Sequence, residues 1–293
     1  MDYNNLMKLT VALAQINTIL GRPDANLEVH LNMVQQAQAG GADLLVFPEL
    51  SLSGYVLQDL VPSVALHPTA DDPIFRPLLE ASQVLDLVVG FPEEDTRSRF
   101  YVSAAYLSKG RVLHVHRKIY LPTYGLFDEG RFFAPGDAIR AFDTPFGRAG
   151  ILICEDSWHA APPYLLWLDG ADLLLVISAS PGRGVSGEQV ATARWVDAIN
   201  AAYACLFTSF IVHVNRVGFE DGLHFWGGSA VHDPNGEVIG RGPYEEQALT
   251  LVELDLNQLH RTRARLPLLR DERTALVQRE LSRILDKPRQ TGD

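Results

Sequence analysis

Ten runs of aliphatic and β-branched residues punctuate this 293-residue chain, at 9–16, 43–48, 85–92, 99–107, 111–116, 149–154, 171–178, 206–215, 228–233 and 248–256. Each has the length of a strand, and so many strands exceed one small sheet. Runs such as LLVF and LLLVI are apolar at every position, which predicts strands covered on both faces. Helical patterns lie between several of them. In DANLEVHLNMVQQAQAGG, Asp24 is the expected N-cap, Leu27, Leu31, Val34 and Gln38 form the predicted stripe, and Gly40–Gly41 stop the helix. Segments 72–85 and 187–206 read the same way. Lys109–Gly110 and Pro234–Asn235–Gly236 join neighbouring runs as hairpins, so antiparallel pairs accompany the crossover units. The fold class expected is a mixed α/β sandwich rather than a purely parallel sheet.

Residues 1–256 read as one domain without internal repeat, low-complexity tract or linker. Residues 257–293 form a charged, leucine-bearing C-terminal extension, expected to pack on the body or on another subunit, with its last residues fraying. The formal charge of −11 argues against a nucleic-acid surface or an anionic membrane as partner. Cys154 and Cys205 are too few and too isolated for a disulfide framework, which favours the cytoplasm. The N-terminus lacks the basic and apolar regions of a signal peptide, and no run reaches the roughly 20 apolar residues of a membrane helix.

Ligands of open α/β sheets collect outside the carboxyl ends of strands. Glu49, Lys118 and Cys154 each stand within about two residues of such an end. A catalytic cysteine needs a group to remove its proton and a setting that favours the thiolate. Glu49, among apolar residues and next to Pro48, would have a raised pKa through desolvation and act as base and then acid. Lys118 would favour the thiolate and, with the backbone N–H after Cys154, donate to an oxyanion. Such a set suits acyl transfer, and calls for neither cofactor nor metal.

In that order and spacing, Glu49 in FPELSLSGY, Lys118 in HRKIYLPTYG and Cys154 in ICEDSW resemble the carbon–nitrogen hydrolase (nitrilase) superfamily. The resemblance covers roughly residues 8–256, and FWGGSAVHDPNGEVI fits it as well. It implies a four-layer αββα sandwich that commonly dimerises face to face, giving a homodimer or higher homo-oligomer. It also implies Cys154 as nucleophile, Glu49 as base, Lys118 as oxyanion stabiliser and Glu129, in GLFDEGRFF, as a second glutamate positioning substrate and lysine. The implied reaction is hydrolysis of a small amide through a thioester, with ammonia leaving. ELSLSGYVLQDL and KIYLPTYGLFDEGRFF are more similar to the glutaminase domain of glutamine-dependent NAD synthetases than to nitrile-cleaving members. By that likeness Tyr55, Tyr124, Phe127 and Glu155 would line a glutamine pocket, joined by Ser178 and Ser180. No SGGxDS-type ATP-pyrophosphatase loop occurs in the chain, and ISASPGRGVSGE puts Arg183 near, but not on, the place of that pattern's carboxylate clamp.

Plainer readings stand beside these. Cys154 could be an inert core cysteine, as Cys205 is expected to be within AAYACLF. Glu49 and Lys118 could be a structural ion pair, and Asp128 or Arg131 could engage Glu129 instead. His114 and His116 share a strand face as a metal pair would, though spacing offers no third ligand, and His159 offers a Cys–His alternative. Tyr55 and Tyr124 could be ordinary wall aromatics. Gly227–Gly228 reads as a strand bend. Three functions follow: an amidase acting on a small amide, a glutaminase subunit supplying ammonia to a separate synthetase partner, and a non-catalytic binding protein.

Overall fold

A computed structural model describes residues 8–183, 185–186 and 189–286, without the side chains of 185, 186 and 189. Part of the loop 177–188 and the tail expected to fray therefore lie outside the described residues. Two six-stranded mixed sheets make the body. The first runs, in spatial order, Ala248–Asp255, Lys8–Gln15, Leu44–Val46, Asp86–Glu94, Phe100–Ser108 and Arg111–Arg117. The second runs Val238–Arg241, Ala230–His232, Phe210–Asn215, Leu173–Ser178, Gly147–Ile153 and Phe142–Thr144. Three adjacent parallel strands lie inside each sheet, and antiparallel strands flank them.

The period of two in a strand explains why the apolar runs are continuous. Leu9, Val11 and Leu13 meet Ile151, Ile153, Leu173, Leu175, Val212 and Val214 in the core between the sheets. Their alternates Ala12 and Ala14 face outward onto Met33, Val34 and Leu78 of the helices Pro23–Ala39 and Phe75–Ala81. On the other side Leu152, Leu174 and Ile211 pack with Trp167 and Phe207 of the helices Ala161–Leu168 and Ala191–Phe207. Each fully buried aliphatic side chain contributes about 1.5–3 kcal/mol to this αββα arrangement. Among the described residues no helix is long and apolar enough to cross a membrane.

Several expectations are corrected. The first helix begins at Pro23, whose fixed φ suits a first helical position, so Asp24 lies inside the first turn rather than capping it. Its buried face is Asn26, His30, Met33, Val34 and Ala37, because the stripe starts one residue earlier, and Gln38 is exposed. The helices expected at 72–85 and 187–206 span Phe75–Ala81 and Ala191–Phe207. The latter takes Leu206 and Phe207 from the predicted strand and ends at Thr208, whose φ is +47°. Cys205 is exposed, since Ala204 on the opposite side of the helix faces the sheet. Beyond the last strand, the helix Asn257–Arg265 seats Leu259 and Thr262 on the body, whereas the helix Thr274–Leu285 buries no residue. The hairpin Val217–Glu220/Leu223–Trp226 forms a two-stranded sheet of its own, with Phe225 and Trp226 fully buried against the body.

Candidate active site

The carboxyl ends of parallel strands from both sheets converge on Glu49 and Cys154. Leu44–Val46 leads through Phe47 and Pro48 into Glu49, which is buried, and Leu50 then takes a φ of +48° to turn the chain. Gly90 in the adjacent strand permits that turn: a Cβ there would lie 2.5 Å from Pro48 O and 2.7 Å from Leu50 N. Glu49 Oε2 accepts the Ala179 N–H at 2.8 Å, a donor supplied by the end of Leu173–Ser178. Its Oε1 accepts from Lys118 Nζ at 2.7 Å.

Lys118 follows Arg111–Arg117 and is buried, with its N–H on Val102 O and its carbonyl on the Gly136 N–H. Its Nζ donates a second bond, 2.8 Å, to Glu129 Oε1. Burial pushes the ammonium down, but Glu129 and Glu49 outweigh that and hold it well above its ordinary value. Glu129 heads the turn Glu129–Phe132, and Tyr55 Oη donates to the same Oε1 at 2.6 Å. Burial and the nearby Glu49 push the Glu129 carboxyl up to about 7, against the pull of Lys118 and the Tyr55 hydroxyl. Its neighbour Asp128 stays at the surface, 4.0 Å from Arg131, so the inward acid of the pair is Glu129.

Cys154 ends Gly147–Ile153 with a φ of +46°, a left-handed conformation costing a non-glycine residue about 1–2 kcal/mol. Its thiol is half-buried against the inter-sheet core. Burial pushes the thiol well up, Glu49 and Glu129 reinforce that, and Lys118 opposes it. The resting sulfur is therefore a protonated thiol whose ionisation requires a proton acceptor.

Asp156 ties these segments together. Its Oδ2 accepts from Ile153 N (3.0 Å) and His116 Nε2 (2.9 Å), and its Oδ1 accepts from Ile119 N (3.0 Å) and Tyr120 N (3.1 Å). The backbone just before Cys154 and just after Lys118 thus shares one buried carboxylate. Burial pushes this group up, yet the bonds from His116, Ile153 and Tyr120 hold it below the usual range. Stability from a depressed acid is present above its unfolded pKa and lost as pH falls through the folded one. Asp156→Asn is expected to destabilise by about 2–3 kcal/mol at neutral pH, because an amide offers one acceptor oxygen to four donors. Urea unfolding from pH 7 down to 3 checks this: the gap between wild type and variant should narrow below roughly pH 4.

The other residues singled out in the sequence surround this set. Glu155 accepts the Tyr124 hydroxyl at 3.0 Å on both oxygens, and Phe127 meets Tyr124 edge to face. The Arg183 guanidinium lies 5.1 Å over Phe127 and 5.9 Å over Tyr124, and its buried Nε has no partner among the described residues. Ser178 and Ser180 are buried nearby, but the Ser178 hydroxyl bonds His213 Nε2 and the Ser180 N–H bonds Asn215 Oδ1. His159 stacks on Tyr120 and faces Glu155 at 3.7 Å, and neither contact involves Cys154. His116 is engaged by Asp156 and His114 stacks on Phe142. Among the described residues no group of three or more His, Cys, Asp or Glu side chains could hold a metal ion. A cavity of about 360 Å³ adjoins the set, lined by Tyr55, Phe127, Glu129, Asp59 and Asp221. Sequence reasoning missed Asp156 and Ala179, because no local spacing announces partners more than thirty residues away.

The profile described as Carbon-nitrogen hydrolase matches residues 10–264. The chain belongs to the carbon-nitrogen hydrolase family. This family member is 35% identical over 260 residues to the glutamine-dependent NAD(+) synthetase of Thermotoga maritima, covering 86% of the chain and 43% of that relative. The structure of glutamine-dependent NAD+ synthetase from Acinetobacter baumannii aligns at 31% identity and a TM-score of 0.76, over 86% of this chain and 46% of that one. The chain thus spans under half the length of these synthetases. A Nesterenkonia amidase of the nitrilase superfamily aligns at 25% identity and a TM-score of 0.77, over 92% of this chain and 96% of its own. A glutamate-to-glutamine variant of that amidase carries the acetamide moiety of fluoroacetamide covalently on its active-site cysteine. Architecture and family agree with the four-layer α/β fold expected from the sequence.

Proposed function

We propose that this carbon-nitrogen hydrolase cleaves a small primary amide through a thioester on Cys154. The observation that carries the reading is Lys118 Nζ, held by both Glu49 and Glu129 in a buried cluster with the thiol. An ammonium has three donors, so two carboxylates leave one N–H for substrate. Glu49 takes the proton from Cys154 as Sγ bonds to the amide carbon. The developing oxyanion is stabilised by the third Lys118 N–H and by the backbone N–H of Glu155. The C–N bond then breaks, and Glu49 returns the proton to the leaving nitrogen, releasing ammonia. Water gives a proton to Glu49 and adds to the thioester; the acid departs and Sγ recovers its proton.

A second, narrower reading names glutamine as the amide, with its ammonia passed to an NAD-synthetase-like partner. Glu155 and Arg183, both beside Tyr124, favour it, since they offer opposite charges to an amino acid's ammonium and carboxylate. The glutamine-dependent relatives support it as well.

Intact-protein mass after brief exposure to acetamide, fluoroacetamide and glutamine tests both readings. An acyl adduct mapping to Cys154, with ammonia released, is expected, and the amide giving it names the substrate class. No adduct and no ammonia from any amide would sink the first reading. Turnover of acetamide with glutamine inert would sink the second.

A further inference from the structure

Arg216 directly follows the strand Phe210–Asn215 and is fully buried, an unusual place for a cation. Its Nη1 donates to Glu220 Oε2 at 2.8 Å, its Nη2 reaches Asn17 Oδ1 at 3.4 Å, and its guanidinium lies 4.2 Å over the Phe225 ring. Glu220, also buried, uses its other oxygen differently. Oε1 accepts two consecutive backbone N–H groups, those of Tyr55 and Val56, each at 2.7 Å. Gly54, at φ +83°, makes room for this: a Cβ there would lie 2.6 Å from Glu220 Oε2 and 2.8 Å from Leu20 Cα. The Tyr55 ring packs edge-on against the same Phe225, with centroids 6.0 Å apart.

A buried ion pair seldom stabilises more than well-packed apolar groups would, and here Arg216 Nε is left without a partner among the described residues. What this pair does achieve is to fix one backbone segment, and that segment carries the hydroxyl that donates to Glu129 Oε1, the oxygen Lys118 also binds. We propose that Arg216 and Glu220 are positioning residues of the active site, locking Tyr55 so that its hydroxyl keeps Glu129 against Lys118. Because Glu220 belongs to the hairpin Val217–Glu220/Leu223–Trp226, the pair also ties that hairpin to the site. The purpose assigned to the pair rests on the proposed amide hydrolysis, but its test does not.

The test is alkylation of Cys154 by iodoacetamide between pH 5 and 9, read by mass in a Cys205→Ser background that removes the exposed thiol. Burial pushes Glu129, which faces Lys118, Glu49 and Tyr55, up to about 7, and its charge opposes ionisation of Cys154, so the rate profile is expected to carry a step as that carboxyl ionises. The Tyr55 hydroxyl favours the charged form of Glu129, so losing it moves the step to higher pH. Tyr55→Phe is expected to raise the step by about half a pH unit or more, Glu220→Gln to raise it likewise, and the double variant to go no further than Tyr55→Phe. A wild-type step in Glu220→Gln overturns the proposal, as do shifts that add in the double variant, an unmoved step in Tyr55→Phe, or a flat wild-type profile. If Glu220→Gln fails to fold by circular dichroism, Glu220→Asp replaces it under the same criteria, keeping the charge for Arg216 but shortening the arm to the two amides. Alkylation is read whether or not an amide is turned over, so absent turnover would refute the hydrolysis while the positioning role still stands or falls on the alkylation profile.

Discussion

Cys154→Ala is expected to lower amide turnover by at least about 10³-fold while leaving unfolding free energy within about 1 kcal/mol of wild type. The first part follows from the proposed thioester, since the other hydroxyl or thiol touching the Glu49–Lys118–Glu129 set among the described residues, Tyr55 Oη, is held by Glu129 with its pKa pushed well up by burial. The second follows from the state of the sulfur. Burial keeps it a neutral thiol at rest, so alanine removes one heavy atom and no charge from a half-buried position. The φ of +46° is as awkward for alanine as for cysteine, so no new backbone strain appears. Ammonia release under saturating amide, alongside urea unfolding of both proteins, reads the two quantities. Normal ammonia release from a folded variant would remove Cys154 from the mechanism.

Lys118→Met should be the more damaging change, because it strikes activity and stability together. Its ammonium is the only cation touching either Glu49 or Glu129 among the described residues, and removing it leaves two buried carboxylates without a counter-charge. Breaking a buried pair in this way typically costs about 3–5 kcal/mol. The penalty depends on pH in a stated direction. Burial and Glu49 already push the Glu129 carboxyl up to about 7 with the lysine present, and without that pull its folded pKa is expected to rise further above the unfolded value. A raised carboxyl destabilises the native state at pH above the unfolded pKa, so the variant should regain stability as pH falls from 8 to 5. Turnover should drop by about 10³-fold or more with the loss of oxyanion stabilisation. Denaturation midpoints across that range decide it: a variant equally stable at pH 8 and pH 5 would mean that the carboxylates do not depend on Lys118.

Much of the sandwich was legible because burial on both faces writes itself as unbroken aliphatic runs, and a strand end is where such a run meets a polar residue. Glu49, Lys118 and Cys154 were conspicuous for that reason, and they stand together in space. Helix faces were harder. AAYACLF is apolar all round, so the sequence could not show that Ala204 turns inward and Cys205 outward. Pro23 and Asp24 both favour a helix start, and the proline decided it. Glu129 and Asp128 are chemically alike, and only the turn Glu129–Phe132 separates them. Arg216 and Glu220 stand four apart in RVGFE, and nothing local reveals that residues 54–56 close over them.

The strand Lys8–Gln15 pairs along its whole length with Ala248–Asp255, and Gln15 also bonds the carbonyls of Pro243 and Glu246. During synthesis, Lys8–Gln15 therefore leaves the ribosome long before the strand that covers its edge. At typical rates that interval is on the order of ten seconds or more. Until it ends, one side of Lys8–Gln15 is an open row of N–H and C=O groups able to pair with any passing strand. The exposure of this edge to misassembly is thus set by Ala248–Asp255, and a stop or fault before residue 248 would leave that row uncovered for good.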